Sequence, residues 1–410
     1  MDSPTAQTPQ HPVEHQFLVR AATLLNAYGT PSHRLERVLV HLAGVLGTEA
    51  SFYSTPTSVM ASFGTGAQEV VHMARVEPGE VNLGKLIEFD EVLEDVEHRR
   101  IAVAGALERL EAIASRGPHY GPLSLCAGYA CVSASAARLF GGGANEVAGS
   151  AVLGGVVFLL GLVLTRRPGS DGTVEPLTAF FAALVSTVLA KFVLPLDDHL
   201  VTLAALIVVL PGLTLTTAMT ELSTKHLVAG TARLARAGVI FLTLLFGVAL
   251  AWRLAGALWP EPATVFQIKP LPAWTEFLAL LPLPLAFGVL FDARAREWPV
   301  IFVASTLGYL AARTGSAELG SDIGPFLGAL SVGVVGNVYA RWVDRPALMA
   351  ITPGLLVLVP GSIGYTSLTS FLELGVVQGM DGAFRTGFVA ISLVCGVLAA
   401  NLVVPPRRIL

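Results

Sequence analysis

Two segments of the chain carry residues whose types and spacing suit the handling of a small polar solute. The first reads VVLPGLTLTTAMTEL over residues 208–222, and the second reads LVPGSIGYTSLTSFL over residues 358–372. Each sets a Pro-Gly pair, Pro211-Gly212 or Pro360-Gly361, inside an apolar run and follows it with hydroxyls. These are Thr214, Thr216, Thr217 and Thr220 in one copy, and Ser362, Tyr365, Thr366, Ser367 and Thr369 in the other. Proline removes a backbone donor and glycine loosens a helix, so each pair is expected to interrupt its helix. Backbone N–H groups freed at such a break can hold a carboxylate. The same residue types also permit close helix packing, so a packing reading stands beside the substrate-binding one.

Ionisable side chains near apolar runs form a second group, because burying charge in lipid is costly. Asp197, Asp198, His199, Glu221, Asp322 and Asp344 fall at expected helix ends. Asp197, Asp198, Glu221 and Asp322 are the candidates for coupling a solute to an ion; residence at the lipid–water interface is their other reading. Asn337 stands deeper in an apolar run and joins the substrate-binding candidates. No acidic residue falls mid-span, so no residue is assigned a proton relay. Cys126, Cys131 and Cys395 lie in apolar runs without Cys-x-x-Cys spacing, so neither a disulfide framework nor a metal site is expected. No catalytic residue and no cofactor is expected either. The sequence holds no Gly-x-Ser-x-Gly elbow, no His-Glu-x-x-His pair and no P-loop.

The elements that would position these residues follow from composition and periodicity. Hydrophobic residues make up 53% of the 410 residues, charged ones 14%, and the mean hydropathy is +0.66, which suits a chain lying mostly in lipid. Residues 1–120 hold 9 Lys+Arg against 15 Asp+Glu, while the rest hold 17 against 15. An acidic soluble head therefore precedes a membrane body, and its charge disfavours nucleic acid. Residues 1–13 read as a disordered tail rather than a signal peptide, so the head is expected to stay on the side where it is made.

Residues 14–118 read as a cytosolic α+β domain. Helical spacing runs from Val13 to Tyr28 and ends at Gly29; Thr30-Pro31 then supplies a cap and a first-turn proline for a helix ending at Gly47. Short β-like runs follow at 49–54, 58–63 and 69–76, and two more helices at 83–96 and 102–115. The acidic string Glu88, Asp90, Glu91, Glu94, Asp95 and Glu97 reads as a solvated face.

From Gly121 onward, apolar stretches of roughly 17–22 residues match a hydrocarbon core of ~30 Å. Ten spans are expected, near 122–140, 147–165, 176–194, 199–219, 238–258, 273–291, 298–313, 323–342, 347–369 and 386–404. At an offset of 149 residues, Pro211-Gly212 aligns with Pro360-Gly361, Gly230 with Gly379, Arg236 with Arg385, and Gly247-Val248 with Gly396-Val397. One deletion upstream lets Ala190-Lys191-Phe192-Val193 match Ala340-Arg341-Trp342-Val343, and Leu139-Phe140 matches Leu290-Phe291. The expected fold is therefore mostly α: about ten transmembrane helices in two five-helix repeats, preceded by the small α+β domain. The repeats occupy 119–258 and 273–406, joined by a linker at 259–272. An odd helix count makes consecutive repeats inverted, the plan of many secondary transporters. With the head inside, inside loops collect eleven Lys and Arg residues and outside loops six, as the positive-inside rule requires.

The head stretches AYGTPSHRLERVLVHLAGVLG, SFYSTPTSVMASF and RVEPGEVNLGKLIEFDEVLEDVEHRRIAVAGALERLEAI resemble the N-terminal domain of the threonine/serine exporter family. Gly29, Arg34, Glu36, Pro56 and the Asn82-Leu83 segment stand in the expected order, and Gly29, Arg34 and Glu36 form the head motif. The body, with its Phe140-Gly141-Gly142 turn and both Pro-Gly segments, is similar to the family's ten-helix region, in fused form. The resemblance covers about residues 14–405. It implies proton-driven export of threonine and serine by an antiporter in a bacterial inner membrane, both termini cytoplasmic. Its partners would be the small solute and membrane lipid, with a homo-oligomer left open. Relatives split into two polypeptides are similar to dicarboxylate (succinate) exporters, which keeps that substrate as an alternative. A membrane-bound hydrolase acting through the head is the alternative of another class. His33 and His41 lack an obvious nucleophile partner, and His33, Arg34 and Glu36 equally suit a solvated helix start.

Overall fold

The computed structural model describes residues 12–66, 69–79, 81–169, 172–259, 269–321, 323–358, 370 and 376–406. The head opens with α1 (Val13–Ala27) and α2 (Ser32–Val45), continues through β1 (Ala50–Thr55), β2 (Ser58–Phe63) and β3 (Val70–Arg75), and closes with α3 (Leu83–Glu97) and α4 (Val103–Ser115). The strands form an antiparallel meander, with Thr55 opposite Ser58 and Phe63 opposite Val70. Apolar residues at helical spacing, such as Phe17, Leu18, Ala21 and Leu25 of α1, meet Phe52, Val59, Ala61 and Phe63 of the sheet in one core. That core also takes in Ala293, Ile301 and Met349 from the membrane part. One local expectation is corrected. Pro31, not Thr30, holds the cap position of α2, at φ −62° and ψ 144°, and supplies no side-chain cap.

The membrane part runs α5 (Pro122–Leu139), α6 (Ala144–Thr165), α7 (Val174–Phe192), α8 (Asp198–Leu206), α9 (Gly212–Ser223) and α10 (Leu227–Leu258). It continues with α11 (Thr275–Leu280), α12 (Pro282–Leu290), α13 (Trp298–Leu319), α14 (Gly324–Val343), α15 (Leu348–Val357) and α16 (Val376–Val403). Among the described residues, five helices are long and apolar enough to cross a bilayer: α6, α7, α10, α14 and the bulk of α16. The other expected spans fall on shorter, less apolar or broken helices, and residues 359–369 of one of them lie outside the described residues. The stretch 199–219 is two short helices, because Pro211 cannot continue the first. The stretch 273–291 divides at Leu281-Pro282 for the same reason, and α15 is ten residues long.

The packing pattern recurs along the chain. α5 packs on α6 and α8, α6 on α8, and α7 on α8 and α10; correspondingly α12 packs on α13 and α15, α13 on α15, and α14 on α15 and α16. The turns after α5 and α12 also share their bonding. Phe140 N donates to Ala136 O and Gly142 N to Ala137 O, both at 2.9 Å. Phe291 N donates to Phe287 O at 2.9 Å and Ala293 N to Gly288 O at 2.8 Å. The left-handed residue is Gly141 in the first turn, at φ +90°, and Asp292 in the second, at φ +56°.

The acidic string of α3 divides: Asp95 and Glu97 form a solvated face paired with Arg100, Arg109 and His41 of the head, while Glu88 and Glu91 meet the membrane part. Glu88 is buried and receives Arg116 at 2.8 Å and Arg294 at 2.5 Å, while Glu91 receives Arg345 at 3.1 Å. A buried carboxylate must be paired, and Glu88 finds Arg116 of the head and Arg294 of the membrane part, while Arg345 of the membrane part joins Glu91. The pairing fixes the head over the α12–α13 and α14–α15 turns.

Candidate functional site

The helix breaks where the first Pro-Gly pair stands. α8 ends at Leu206, Pro211 adopts φ −80° and ψ 43°, and Gly212 opens α9. Both residues of the pair are buried. Thr216 Oγ1 donates to Gly212 O at 3.1 Å and Thr220 Oγ1 to Thr216 O at 2.9 Å, so these hydroxyls are taken up by carbonyls one turn back. Thr214 and Thr217 differ: they are half-buried, and among the described residues their hydroxyls have no hydrogen-bond partner.

The break faces the second half of the body. Ile207 and Val208 share a hydrophobic cluster with Leu356 and Val357 at the end of α15, and with Val132, Leu283 and Phe287 of α5 and α12. Ile207-Val208 and Leu356-Val357 are themselves 149 residues apart, the offset of the two Pro-Gly pairs. α9 packs on α15 and α16 as well as on α10. Pro360, Gly361, Ser362, Tyr365, Thr366, Ser367, Thr369 and Asp322 lie outside the described residues. Asn337 is buried, and its amide donates to Asn401 Oδ1 at 2.9 Å and Val404 O at 2.8 Å, which ties α14 to the end of α16. Asp197 caps α8 by accepting from Leu200 N at 3.0 Å, and Asp198 accepts from Thr187 Oγ1 at 2.8 Å.

Glu221 and the head motif, separate in the sequence, come together at the end of α9. Glu221 lies in the last turn of α9 and is fully buried, so of its two readings residence at the lipid–water interface does not hold. Its Oε1 accepts from Ser32 N at 2.9 Å and its Oε2 from Arg233 Nε at 3.0 Å. A carboxylate at the N-terminus of α2 meets both an orphan N–H and the positive end of the helix dipole, so it serves as the cap that Pro31 cannot provide. Four residues on, Glu36 accepts from Ser54 N at 2.8 Å and lies 3.2 Å from His226 Nε2. Gly29 turns the chain between α1 and α2 at φ +85°, where a side chain would also strike Val81. The His33 imidazole is pushed down to about 3, chiefly by burial and then by Arg34, His226 and Arg37. Burial, and then Arg37, also lower the Arg34 guanidinium, to about 10.

Several polar residues of this junction carried no signal in the sequence. Asp292 accepts from His119 N at 2.8 Å and from Asn82 Nδ2 at 3.2 Å, and it is buried. Glu146 and Glu297 are likewise buried, and only their match at the offset of Leu139-Phe140 with Leu290-Phe291 would have marked them. His226 and Arg233 read as loop charges until the head is seen resting on them.

Residues 16–255 match the family model for threonine/serine exporters, and residues 277–403 match a second model of the same description. Pheromone-regulated membrane protein 10 of Eremothecium gossypii is 28% identical, with 96% of this chain and 56% of that protein covered. The protein of the same name from Saccharomyces cerevisiae is 28% identical, with 88% of this chain and 48% of its own length covered. In that of Debaryomyces hansenii the identity is 28% and the shares are 86% and 36%. The chain thus spans about half the length, or less, of the curated relatives it matches. No solved structure matches.

Proposed function

We propose that this membrane protein, which belongs to the threonine/serine exporter family, is a secondary exporter of small hydroxy amino acids, driven by the proton gradient. Its cycle would be alternating access between two inverted five-helix repeats. The observation that carries this reading is the Pro211-Gly212 break, which is followed in α9 by the half-buried Thr214 and Thr217, whose hydroxyls have no partner among the described residues. Hydroxyls can bond the substrate's own hydroxyl, and the first turn of α9 presents N–H groups to its carboxylate.

Inversion is supported by where equivalent turns lie. The head touches the turns after α9, α12 and α14, through His226, Asp292 and Arg345. The turn after α5, equivalent to that after α12, instead meets the linker, with Gly143 packed on the Lys269 carbonyl. Tyr120, just before α5, bonds Ala293 at the head end, and eighteen residues of helix separate the two ends by ~27 Å. Charge bias supports a cytoplasmic head. The yeast relatives support a membrane location and lend nothing to a bacterial one.

Uptake of labelled threonine, serine and succinate into inside-out vesicles, with and without a pH gradient, tests the proposal. Gradient-dependent threonine or serine uptake is expected. Succinate uptake alone would move the reading to a dicarboxylate exporter, and uptake of none would sink it.

A further inference from the structure

Two carboxylates that neither the break nor the head motif uses sit at matched places. Glu146 in the first turn of α6 is 3% exposed, and Glu297, immediately before α13, is 2% exposed. They stand 151 residues apart, the offset that also aligns Leu139-Phe140 with Leu290-Phe291. Each reaches across to the turn that begins a short helix. Glu146 Oε2 accepts at 2.9 Å from the N–H of Gly143, the residue before α6, which leaves Oε1 to accept from Asp197 N at 3.1 Å, at the start of α8. Glu297 Oε2 accepts from the Tyr339 hydroxyl, and its Oε1 lies 3.7 Å from Arg345 Nε in the turn before α15.

The two contacts lie at opposite ends of the membrane part. Around Glu297 the turns are pinned to the head, by Arg294 on Glu88 and Arg345 on Glu91. Around Glu146 they are far from the head: Gly143 packs on Lys269, and Asn145 Nδ2 donates to Pro195 O at 2.8 Å. A buried carboxylate is costly unless its oxygens are bonded, so each holds its turn firmly and leaves it only for another partner or for water. α8 and α15, the helices these turns begin, run to the two ends that meet at Ile207-Val208 and Leu356-Val357.

We propose that Glu146 and Glu297 are paired positioning residues of the transport cycle, each latching the entry turn of one short helix, and that the latches release on opposite sides of the membrane in alternation. The proposal rests on the alternating-access reading above. Release of Glu146 frees the Asp197 turn and α8 on the side away from the head. Release of Glu297 loosens the Arg345 turn and α15 on the head side, leaving the Arg345–Glu91 bridge to hold that turn. Both latches are engaged in this structure.

The test uses the full chain in proteoliposomes, with Cys126, Cys131 and Cys395 changed to alanine and Thr214→Cys as reporter. A membrane-impermeant maleimide is applied from either side and the labelling rate is read. Glu146→Gln keeps size and one acceptor but loses the charge; it is expected to raise labelling from the far side about tenfold, with little change from the head side. Glu297→Gln is expected to do the reverse. Tyr339→Phe should follow Glu297→Gln more weakly, and Glu146→Asp should follow Glu146→Gln; these stand in for either glutamine variant that does not fold. A purely structural role would lower the melting temperature with no sidedness, and equal or absent changes from the two sides would overturn the proposal. Labelling needs no substrate. Sided labelling without threonine or serine transport would therefore sink the exporter reading and leave the latches standing; transport without sidedness would do the opposite.

Discussion

The backbone N–H of Ser32 donates to Glu221 Oε1 at 2.9 Å, so a helix of the head is capped by a buried carboxylate of the membrane part. The arrangement is physically economical: α2 has no side-chain cap of its own, and Glu221 needs donors because no part of it is exposed. Arg233 supplies the other donor at 3.0 Å. Glu221→Ala strands the amide and the guanidinium together and is expected to cost about 1–3 kcal/mol. Hydrogen exchange across residues 32–35 should quicken in that variant, and Glu221→Gln should show a smaller change. Unchanged exchange in the alanine variant would remove the cap from the account.

The same junction should make the protein acid-sensitive. The His33 imidazole is pushed down from 6.5 to about 3 by burial first, and then by Arg34, His226 and Arg37. Its Nδ1 is buried without a partner, so a proton there has nowhere to be solvated. The unfolded chain takes up a proton near pH 6.5 that the folded chain refuses until about pH 3. The stability contribution is therefore complete above 6.5 and falls as pH drops through that window, by about 1.4 kcal/mol per pH unit at its steepest. His33→Gln should flatten this limb in melting curves taken between pH 4 and 7. An equally steep limb in the variant would assign the acid loss to other groups.

Much of the head was legible in the sequence, because amphipathic spacing and turn residues are local: α1, α3 and α4 and all three strands fall within a residue or two of their expected bounds. The break at Pro211 was legible for the same reason. The burial of Glu221 and Glu88 and the pairing of His226 were not, since partners of each lie roughly 190–210 residues away. A charge at a helix end looks interfacial until its partner is known. The division of 273–291 at Pro282 was not read, because hydropathy averages over a proline: the stretch is largely apolar, yet it holds two helices.

Gly247 and Gly396 occupy equivalent contacts. Gly247 of α10 lies against the Pro176 carbonyl and Phe180 N of α7, and Gly396 of α16 lies against the Phe326 carbonyl and Leu330 N of α14. A Cβ at 247 would stand 3.0 Å from Phe180 N, and one at 396 would stand 2.9 Å from Leu330 N, with the carbonyls closer still. Backbone cannot yield as a side-chain tip can, so each helix pair must move apart. Gly247→Ala and Gly396→Ala are each expected to destabilise by about 1–3 kcal/mol through overpacking. Gly238→Ala, where a Cβ meets nothing, is the control. Thermal melting of the purified proteins in detergent reads the difference, and indistinguishable melting of all three would show these interfaces to be loose.

The Pro-Gly breaks allow a test that separates binding from packing. Pro211 interrupts the chain between α8 and α9, and a proline inside a helix costs about 3 kcal/mol relative to alanine. Pro211→Ala therefore removes the main obstacle to a continuous helix from Asp198 to Ser223. Such a helix would restore backbone bonds across Ile207–Leu210 and remove the free N–H groups at the start of α9. With Pro360→Ala in the other copy, threonine uptake into inside-out vesicles is expected to fall to the background of empty vesicles, while the protein stays inserted and monodisperse. Loss of transport together with loss of the folded protein would show only that the prolines shape the fold. Thr214→Val with Thr217→Val then decides the matter, because it deletes the two free hydroxyls without touching the backbone. Full transport by both double variants would make the breaks packing features and move the substrate elsewhere.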